Sequence, residues 1–590
     1  MALKNNPLVF LSHKLWHFSQ GNRKNVVLYI LLFLGANIVA TAEPLLVAKV
    51  LDVIALEGVT RENIQFILLL SASFVGVQFA FWMFHGPARV LEITNAFKAR
   101  INYKMFLLEG TLDLPASWHT DHHSGDTIDK IEKGSQALYR FGTETFALIE
   151  SFARLITSFI ILAYFDINST IIVSIMVVLT IFAILKFDKR LIAQYDHINK
   201  SENASSAKVF DVISNVTTVI ILRIEKLVTK AISKKLHQPY ELFVRNNKMN
   251  EFKWFIVSVA GALVVFFVLC SYFVGTVAAG TVVTIGSVYL LYSYVMRVTE
   301  VFFRFAYQYG DVVQQKTNVL NAESIAKDFQ GRKHVPTIRP GMAWKRLTIN
   351  HLSFSYHTDT GANLHLEDVS LVIKHGERIA LIGESGSGKT TFLKILRGLY
   401  TPKQGNISLD RKTLKYGIEM MSEHIALIPQ DPEIFSTTIK ENITMGVDHT
   451  LPTIKKFTDM ARFTEVAERL PNKWESSLVE KGVNLSGGEK QRLALARGLM
   501  ACTDKSIILL DEPTSSIDMK NEAMIYQNIF KTFKDKTVIS SIHRLHLLHL
   551  FDVIYFFKDG RIIASGSFQD LLTSSLPFQT LWEKYQEAQK

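Results

Sequence analysis

Three groups of residues in this chain have types and spacings that could do chemistry. Gly383-Glu384-Ser385-Gly386-Ser387-Gly388-Lys389-Thr390-Thr391 fits the phosphate-binding loop pattern. The apolar run Ile379 to Ile382 before it reads as a strand, and Thr390 to Leu396 after it reads as the start of a helix. Glycines let backbone amides turn toward a ligand without a Cβ in the way, and a helix N-terminus adds partial positive charge. Lys389 is placed to reach the terminal phosphates and Thr390 to help hold Mg²⁺. About 120 residues further on, the apolar run Ile507 to Leu510 ends in Asp511 and Glu512. There, one acid suits Mg²⁺ coordination through water and the other suits polarising an attacking water. Leu485-Ser486-Gly487-Gly488-Glu489 stands just before the helical stretch Lys490 to Leu499 and forms a second edge able to bind an anion. One nucleotide does not need two cradles from one chain, so the second edge is expected to cap a nucleotide held by another copy.

These residues lie behind a very apolar first half. The chain has 590 residues, 48% hydrophobic and 20% charged, with a mean hydropathy of +0.17 and a net charge of +11. It is too long for one domain. Six stretches are long and apolar enough to span a membrane, at about 26–51, 64–85, 146–165, 168–187, 254–275 and 281–303. Glu43 and Pro44 predict a kink in the first. The segments 86–145 and 187–253 are long and rich in Lys and Arg, which places them, both termini and the nucleotide domain in the cytosol. The basic balance therefore fits cytosolic loops facing anionic lipid, and nucleic acid is not expected as a partner. Residues 1–25 show no signal-peptide pattern and read as an interfacial lead-in, with Leu8, Val9, Phe10, Leu15 and Trp16 as its apolar part. A membrane domain at 26–305, a linker at 306–340 and an α/β nucleotide domain at 341–590 complete the expected plan. Cys270 and Cys502 sit in different domains, so neither a disulfide nor a metal site is expected from them.

The phosphate loop, Gln430, the Leu485–Glu489 motif, Asp511-Glu512 and His543, in that order after six spans, resemble an ABC transporter half-transporter of the exporter type. The likeness extends to lipid A flippases and bacterial multidrug exporters and covers nearly the whole chain. It implies an all-α six-helix transmembrane domain followed by an α/β P-loop cassette, with ATP and Mg²⁺ as ligands. By the same resemblance Tyr356 stacks on adenine, and Gln430 senses Mg²⁺ and the γ-phosphate. Ser486, Gly487, Gly488 and Glu489 face a nucleotide across a dimer, Ser515 to Asp518 links the two sites, and His543 contacts the γ-phosphate. Glu512 is the implied base, with Thr390, Gln430 and Asp511 around the metal. No catalytic position is degenerate, which implies a homodimer with two working sites. Two positions depart from the family pattern. Ser477-Leu478-Val479-Glu480 replaces a more usual segment before the signature, and Glu489 stands where many exporters have Gln.

In the first half, His119, Asp121, His122 and His123 invite a metal reading. The resemblance instead makes this stretch a short coupling helix ending near Ser124-Gly125-Asp126, with a second near Ser214 to Glu225. Arg297, Glu300 and Arg304 share one face of the sixth span at i, i+3 and i+7, with His85, Arg89 and Arg154 nearby in other spans. They are expected to form either a basic patch for an amphiphile with an anionic head or a structural ion pair. The expected function is ATP-driven export or flipping of a lipid, lipopeptide or drug across a bacterial inner membrane. The alternatives are import of a metal chelate on the same fold and a non-pumping ATP-gated channel or sensor.

Overall fold

The computed structural model describes residues 6–122, 124–330, 335–338, 344–356, 365–478 and 485–587. The chain divides into two units close to residue 332, and each is described by itself.

The first unit is helical throughout its described residues. Its elements are α1 (Pro7–Phe18), α2 (Arg23–Ala40), α3 (Ala42–Glu57), α4 (Ile64–Leu112), α5 (Ala116–Asp121), α6 (Ser124–Thr143), α7 (Thr145–Phe165), α8 (Ile167–Ser214), α9 (Val216–Ile221), α10 (Glu225–His237), α11 (Tyr240–Ala278) and α12 (Ile285–Gln330). Among the described residues, five helical stretches are long and apolar enough to cross a membrane: Arg23–Glu57, Ile64–Leu112, Ser124–Phe165, Ile167–Ser214 and Glu225–Ala278. The sixth expected span lies in α12, where Tyr289, Tyr292, Tyr294, Arg297 and Glu300 lower the apolarity. At 1.5 Å per residue, the 49 residues of α4 run roughly 70 Å, over twice a ~30 Å hydrocarbon core. The long helices therefore continue past the bilayer, as the polar segments implied.

The first apolar stretch is broken between α2 and α3, three residues ahead of Pro44. Proline has no N–H to give the carbonyl four residues back, which is that of Ala40. That carbonyl instead accepts from Nη1 and Nη2 of Arg297 at 3.2 and 3.3 Å, and the Tyr294 hydroxyl donates to the Thr41 carbonyl at 2.9 Å. Arg297 also lies 3.5 Å from Glu43. Glu300 and Arg304 close a ring of four charges with α7. Glu150 pairs with Arg154 at 2.5 Å and with Arg304 at 3.0 Å, and Glu300 pairs with Arg304 at 3.3 Å and with Arg154 at 3.7 Å. Every arginine of the expected basic patch thus faces a carboxylate.

Other expectations shift in detail. The short helix ends at Asp121, and Ser124-Gly125-Asp126 opens α6, with Asp126 in its favourable first turn. His122 stacks on Trp118 at 4.0 Å and its Nδ1 lies 2.8 Å from the Trp118 carbonyl; His123 lies outside the described residues. In α1, Leu11, Leu15 and Phe18 are buried against α4, α6 and α12, so Leu15 faces protein and not lipid, while Val9 and Trp16 stay exposed. His85 stacks on Phe81, and Arg89 pairs at 2.5 Å with Glu92, a buried acid that also accepts from Thr145 Oγ1 and the Phe146 amide.

The second unit is α/β. Its strands are β1 (Arg346–Phe354), β2 (Leu366–Lys374), β3 (Arg378–Ile382), β4 (Gln404–Leu409), β5 (Lys412–Thr413), β6 (Ile425–Ile428), β7 (Ile507–Asp511), β8 (Thr537–Ser541), β9 (Val553–Lys558) and β10 (Arg561–Gly566). One sheet is antiparallel in the order β2-β1-β4-β5. The other has the order β10-β9-β3-β8-β7-β6, with parallel pairing from β9 to β6 and β10 antiparallel at its edge. β7 and β8 are buried at every position, as parallel strands covered on both faces require. Leu381 and Asp511 both pair with Ser541, so β3, β8 and β7 end level with one another. The carboxyl ends of such strands are where α/β sheets bind ligands.

Arg297→Gln should lower the melting temperature of the purified protein in nanodiscs by more than Arg304→Gln does. The first change strips two donors from a proline-freed carbonyl, worth about 1–3 kcal/mol. The second leaves Glu150 and Glu300 with Arg154. Differential scanning fluorimetry of both variants checks the order.

Candidate nucleotide site

The phosphate loop runs from the end of β3 into the helix Lys389–Leu396. Gly383 and Gly388 have φ of +146° and +104°. A Cβ on Gly383 would stand 2.2 Å from the Phe557 carbonyl oxygen, and one on Gly388 would stand 2.7 Å from Leu366 and 3.0 Å from the His365 carbonyl. Only glycine fits such positions. Glu384, Ser385 and Gly386 form the exposed crest of the loop, while Ser387 and Thr391 are buried beside it. Lys389 is buried, and its Nζ donates to the carbonyls of Gly383 and Glu384 at 2.8 and 2.9 Å. Burial holds its ammonium below the usual lysine range, opposed by Glu512 and Asp511. A buried cation on neutral carbonyls beside a ring of amides is a site built for an anion such as a polyphosphate.

Asp511 ends β7. Its Oδ1 accepts from Thr390 Oγ1 at 3.0 Å and from Ser541 Oγ at 2.8 Å. Burial pushes the Asp511 carboxyl above its usual range, against those two hydrogen bonds. The hard oxygen donors of Thr390 and Asp511, already in contact, suit Mg²⁺. Glu512 follows in the left-handed region at φ +48°, a strained setting for a non-glycine residue. Its amide donates to Ser541 Oγ at 2.9 Å. Its two carboxylate oxygens are held separately, Oε2 by Gln430 Nε2 at 3.0 Å and Oε1 by His543 Nε2 at 2.5 Å. Lys389, Thr390, Gln430, Asp511, Glu512 and His543 therefore converge on one sheet edge. Such a constellation can bind phosphates, seat a divalent cation and present a carboxylate base to water.

Tyr356 sits just past β1, its ring edge-on to Phe354, His365 and Tyr400 at 4.9, 4.9 and 5.1 Å. The motif from Ser486 to Glu489 stands apart, and among the described residues no hydrogen bond joins it to the phosphate loop. Ser486 caps the helix Gly487–Ala501, and Glu489 reaches back to its amide in a capping box. Glu489 also pairs with Arg469 at 2.5 Å. The unusual acid thus has a structural partner on each side. A Cβ on Gly488 would fall 2.8 Å from the Ser516 carbonyl oxygen, whereas one on Gly487 would meet open space. Glu480 lies outside the described residues.

Three residues escaped the sequence reading. Ser541 joins Asp511 to the Glu512 amide. Buried Gln491 donates to Ser515 Oγ at 2.7 Å and accepts from the Ser516 amide at 2.8 Å. Arg544 pairs with Glu522 at 3.0 Å and donates to the carbonyls of Ser515 and Ile517. Their signals were positional only: Ser541 two residues before His543, Arg544 directly after it, and Gln491 one helical turn past Gly487 and Gly488.

Comparison with known proteins agrees with this geometry. The family described as ABC transporter transmembrane region matches residues 26–299, and the family described as ABC transporter matches residues 366–515. ATP-binding cassette sub-family B member 6 of Mus musculus is 27% identical over 498 residues, covering 81% of this chain and 56% of its own length. A Bacillus subtilis protein, the probable multidrug resistance ABC transporter ATP-binding/permease protein YheI, is 35% identical over 242 residues, 41% of each chain. This chain thus spans about half the length of these curated relatives. A solved structure of a bacterial Atm1-family ABC exporter with ATP bound has the same fold, with a TM-score of 0.81 at 21% identity over 95% of this chain and 99% of that one.

Gly488→Ala should destabilise the protein by about 1–3 kcal/mol, because the added methyl must displace the Ser516 backbone. Gly487→Ala should leave the melting temperature unchanged. Thermal unfolding of the two variants side by side checks this.

Proposed function

This chain belongs to the ABC transporter family, its membrane region and cassette fused in one polypeptide, and we propose that it is an ATP-driven exporter working as a homodimer. The observation that carries the reading is the convergence of Lys389, Thr390, Asp511, Glu512, Gln430 and His543 at one sheet edge, in a chain whose described residues include apolar helices long enough to span a membrane. Lys389 and the loop amides bind the β- and γ-phosphates of ATP. Thr390, Asp511 and Gln430 would hold Mg²⁺, which would neutralise charge on the phosphates. Glu512 takes the proton of the attacking water, with Gln430 and His543 fixing its two oxygens. Tyr356 offers an aromatic edge for adenine.

The Ser486–Glu489 motif completes the site of a second copy. Its support is that, among the described residues, no hydrogen bond joins it to the phosphate loop of its own chain, together with its exposure at a helix start. Binding of ATP would draw two cassettes together, and hydrolysis would release them. The short helix α9 offers Val216, Ile220, Ile221 and Leu222 as an exposed apolar tip in a polar segment, a surface fit to transmit that motion. A structural neighbour that is an Atm1-family exporter and a relative described as a probable multidrug resistance transporter support export; the proposed cargo is amphiphilic or hydrophobic. The inner membrane of a bacterium is the proposed location.

The test is ATPase activity of the full chain in nanodiscs against a panel of lipids, drugs and chelates, wild type beside Glu512→Gln and Lys389→Ala. Glu512→Gln should cut turnover roughly 10²–10⁴-fold while still binding ATP. Lys389→Ala should lose binding itself. Undiminished turnover in Glu512→Gln would overturn the assigned base.

A further inference from the structure

Two cavities adjoin in the first unit, of about 360 and 340 Å³, and Asp311 and Gln314 of α12 line both. The larger is walled by Tyr195 of α8, Trp254 of α11 and Tyr307 and Tyr309 of α12. The smaller reaches α6 through Arg140 and is also lined by Glu144, the residue directly after α6.

The charges facing these cavities do not balance. Lys253 is spent on Asp188 at 3.1 Å, Glu132 on Arg100 and Lys104, and Lys133 on Asp129. Among the described residues, Glu144, Glu251 and Asp311 form no ion pair, and Arg140 is the one lining base without a carboxylate within 4 Å. With the second base on Glu132 and the unpaired Arg140 set against these three acids, the cavities and their paired neighbours keep an excess of one negative charge.

Two buried acceptors in the same walls also lack a donor. Asp188 is 5% exposed and its Oδ2 has no hydrogen-bond partner; Gln315 is 6% exposed and its Oε1 has none either. The missing groups are N–H or O–H donors, not acceptors. The walls add aromatic rings: Trp254 stacks on Phe303 at 5.7 Å and already has the Lys253 ammonium 5.4 Å from its ring centre, so Tyr195, Tyr307 and Tyr309 are the remaining lining rings. Aromatic faces attract organic cations. A bare metal ion fits poorly, since among the described residues no three His, Cys, Asp or Glu side chains cluster closely enough to hold one.

We propose that these cavities receive an organic cation, a protonated amine carrying an apolar or aromatic body, as the cargo of the transporter. This rests on the exporter reading above and narrows it. It also moves the cargo site away from Arg297 and Arg304, whose charges are already met by Glu43, Glu150 and Glu300.

The test uses two probes that share a fluorophore and differ in charge, dansylcadaverine as the cation and dansylglycine as the anion. Each is titrated onto the full-length protein in nanodiscs, with empty discs subtracted, and vanadate-sensitive ATPase is measured on the same preparation. Wild type should bind the cation at least roughly tenfold more tightly than the anion. Asp311→Asn combined with Glu144→Gln should remove that preference, and Asp311→Glu, which keeps the charge, should retain it. Equal affinities in the wild type, or an anion preference, would overturn the proposal with no variant needed. So would a double variant that keeps both its ATPase and its cation preference. Absence of ATPase with intact cation selectivity would instead sink the pump and leave the cavity assignment standing.

Discussion

Asp511 ends a fully buried strand at 3% exposure, where a carboxylate without partners would be costly. One oxygen takes both of its protein donors, Thr390 from the helix after the phosphate loop and Ser541 from the end of β8. Ser541 in turn accepts the Glu512 amide. Satisfying one buried acid therefore locks three segments in register and fixes where the base begins. The strained left-handed turn at Glu512 follows from the same geometry: β7 must stop at Asp511, yet the next carboxylate must lie between Gln430 and His543. Burial acts on both charges of the site, raising Asp511 and lowering Lys389. Each is favoured in its charged form by a neighbouring counter-charge, which suits the pair to a polyphosphate with a divalent cation.

The membrane unit follows the same rule of completed partners in a drier setting. Pro44 breaks a helix and frees the Ala40 carbonyl, and Arg297 answers it from α12. Glu150, Arg154, Glu300 and Arg304 neutralise one another in a closed ring. Compensation so complete in one region makes Glu144, Glu251 and Asp311, which form no ion pair among the described residues, informative, since ionisable groups near a membrane are expensive.

The cassette was legible because its chemistry is local. A loop of nine consecutive residues, two adjacent acids after an apolar run and a histidine after another strand are patterns within short windows, and the structure brings them together. The departures came from interactions across long sequence separations. Nothing in Arg297, Glu300 and Arg304 reveals that their partners lie near positions 40 and 150. Leu15 reads as lipid-facing until α4, α6 and α12 are seen to cover it. Glu489 stood out only as a departure from the family pattern, and the structure gives it a capping box and a pair with Arg469, twenty residues earlier. The sixth span was visible as an apolar stretch, but its polar groups make it the least lipid-like of the set, in keeping with the contacts it makes to α3 and α7.

The central claim is that two copies of this chain share their nucleotides, the Ser486 edge of one closing on the phosphate loop of the other. The most direct measurement is the distance between spin labels at exposed Lys520, one per copy, by pulsed dipolar spectroscopy on the Glu512→Gln protein in nanodiscs. The account predicts a dipolar signal from the purified chain alone and a shift to one shorter, narrower distance when ATP and Mg²⁺ are added. A dipolar signal that is absent, or unchanged by nucleotide in a protein that binds it, would contradict the shared site.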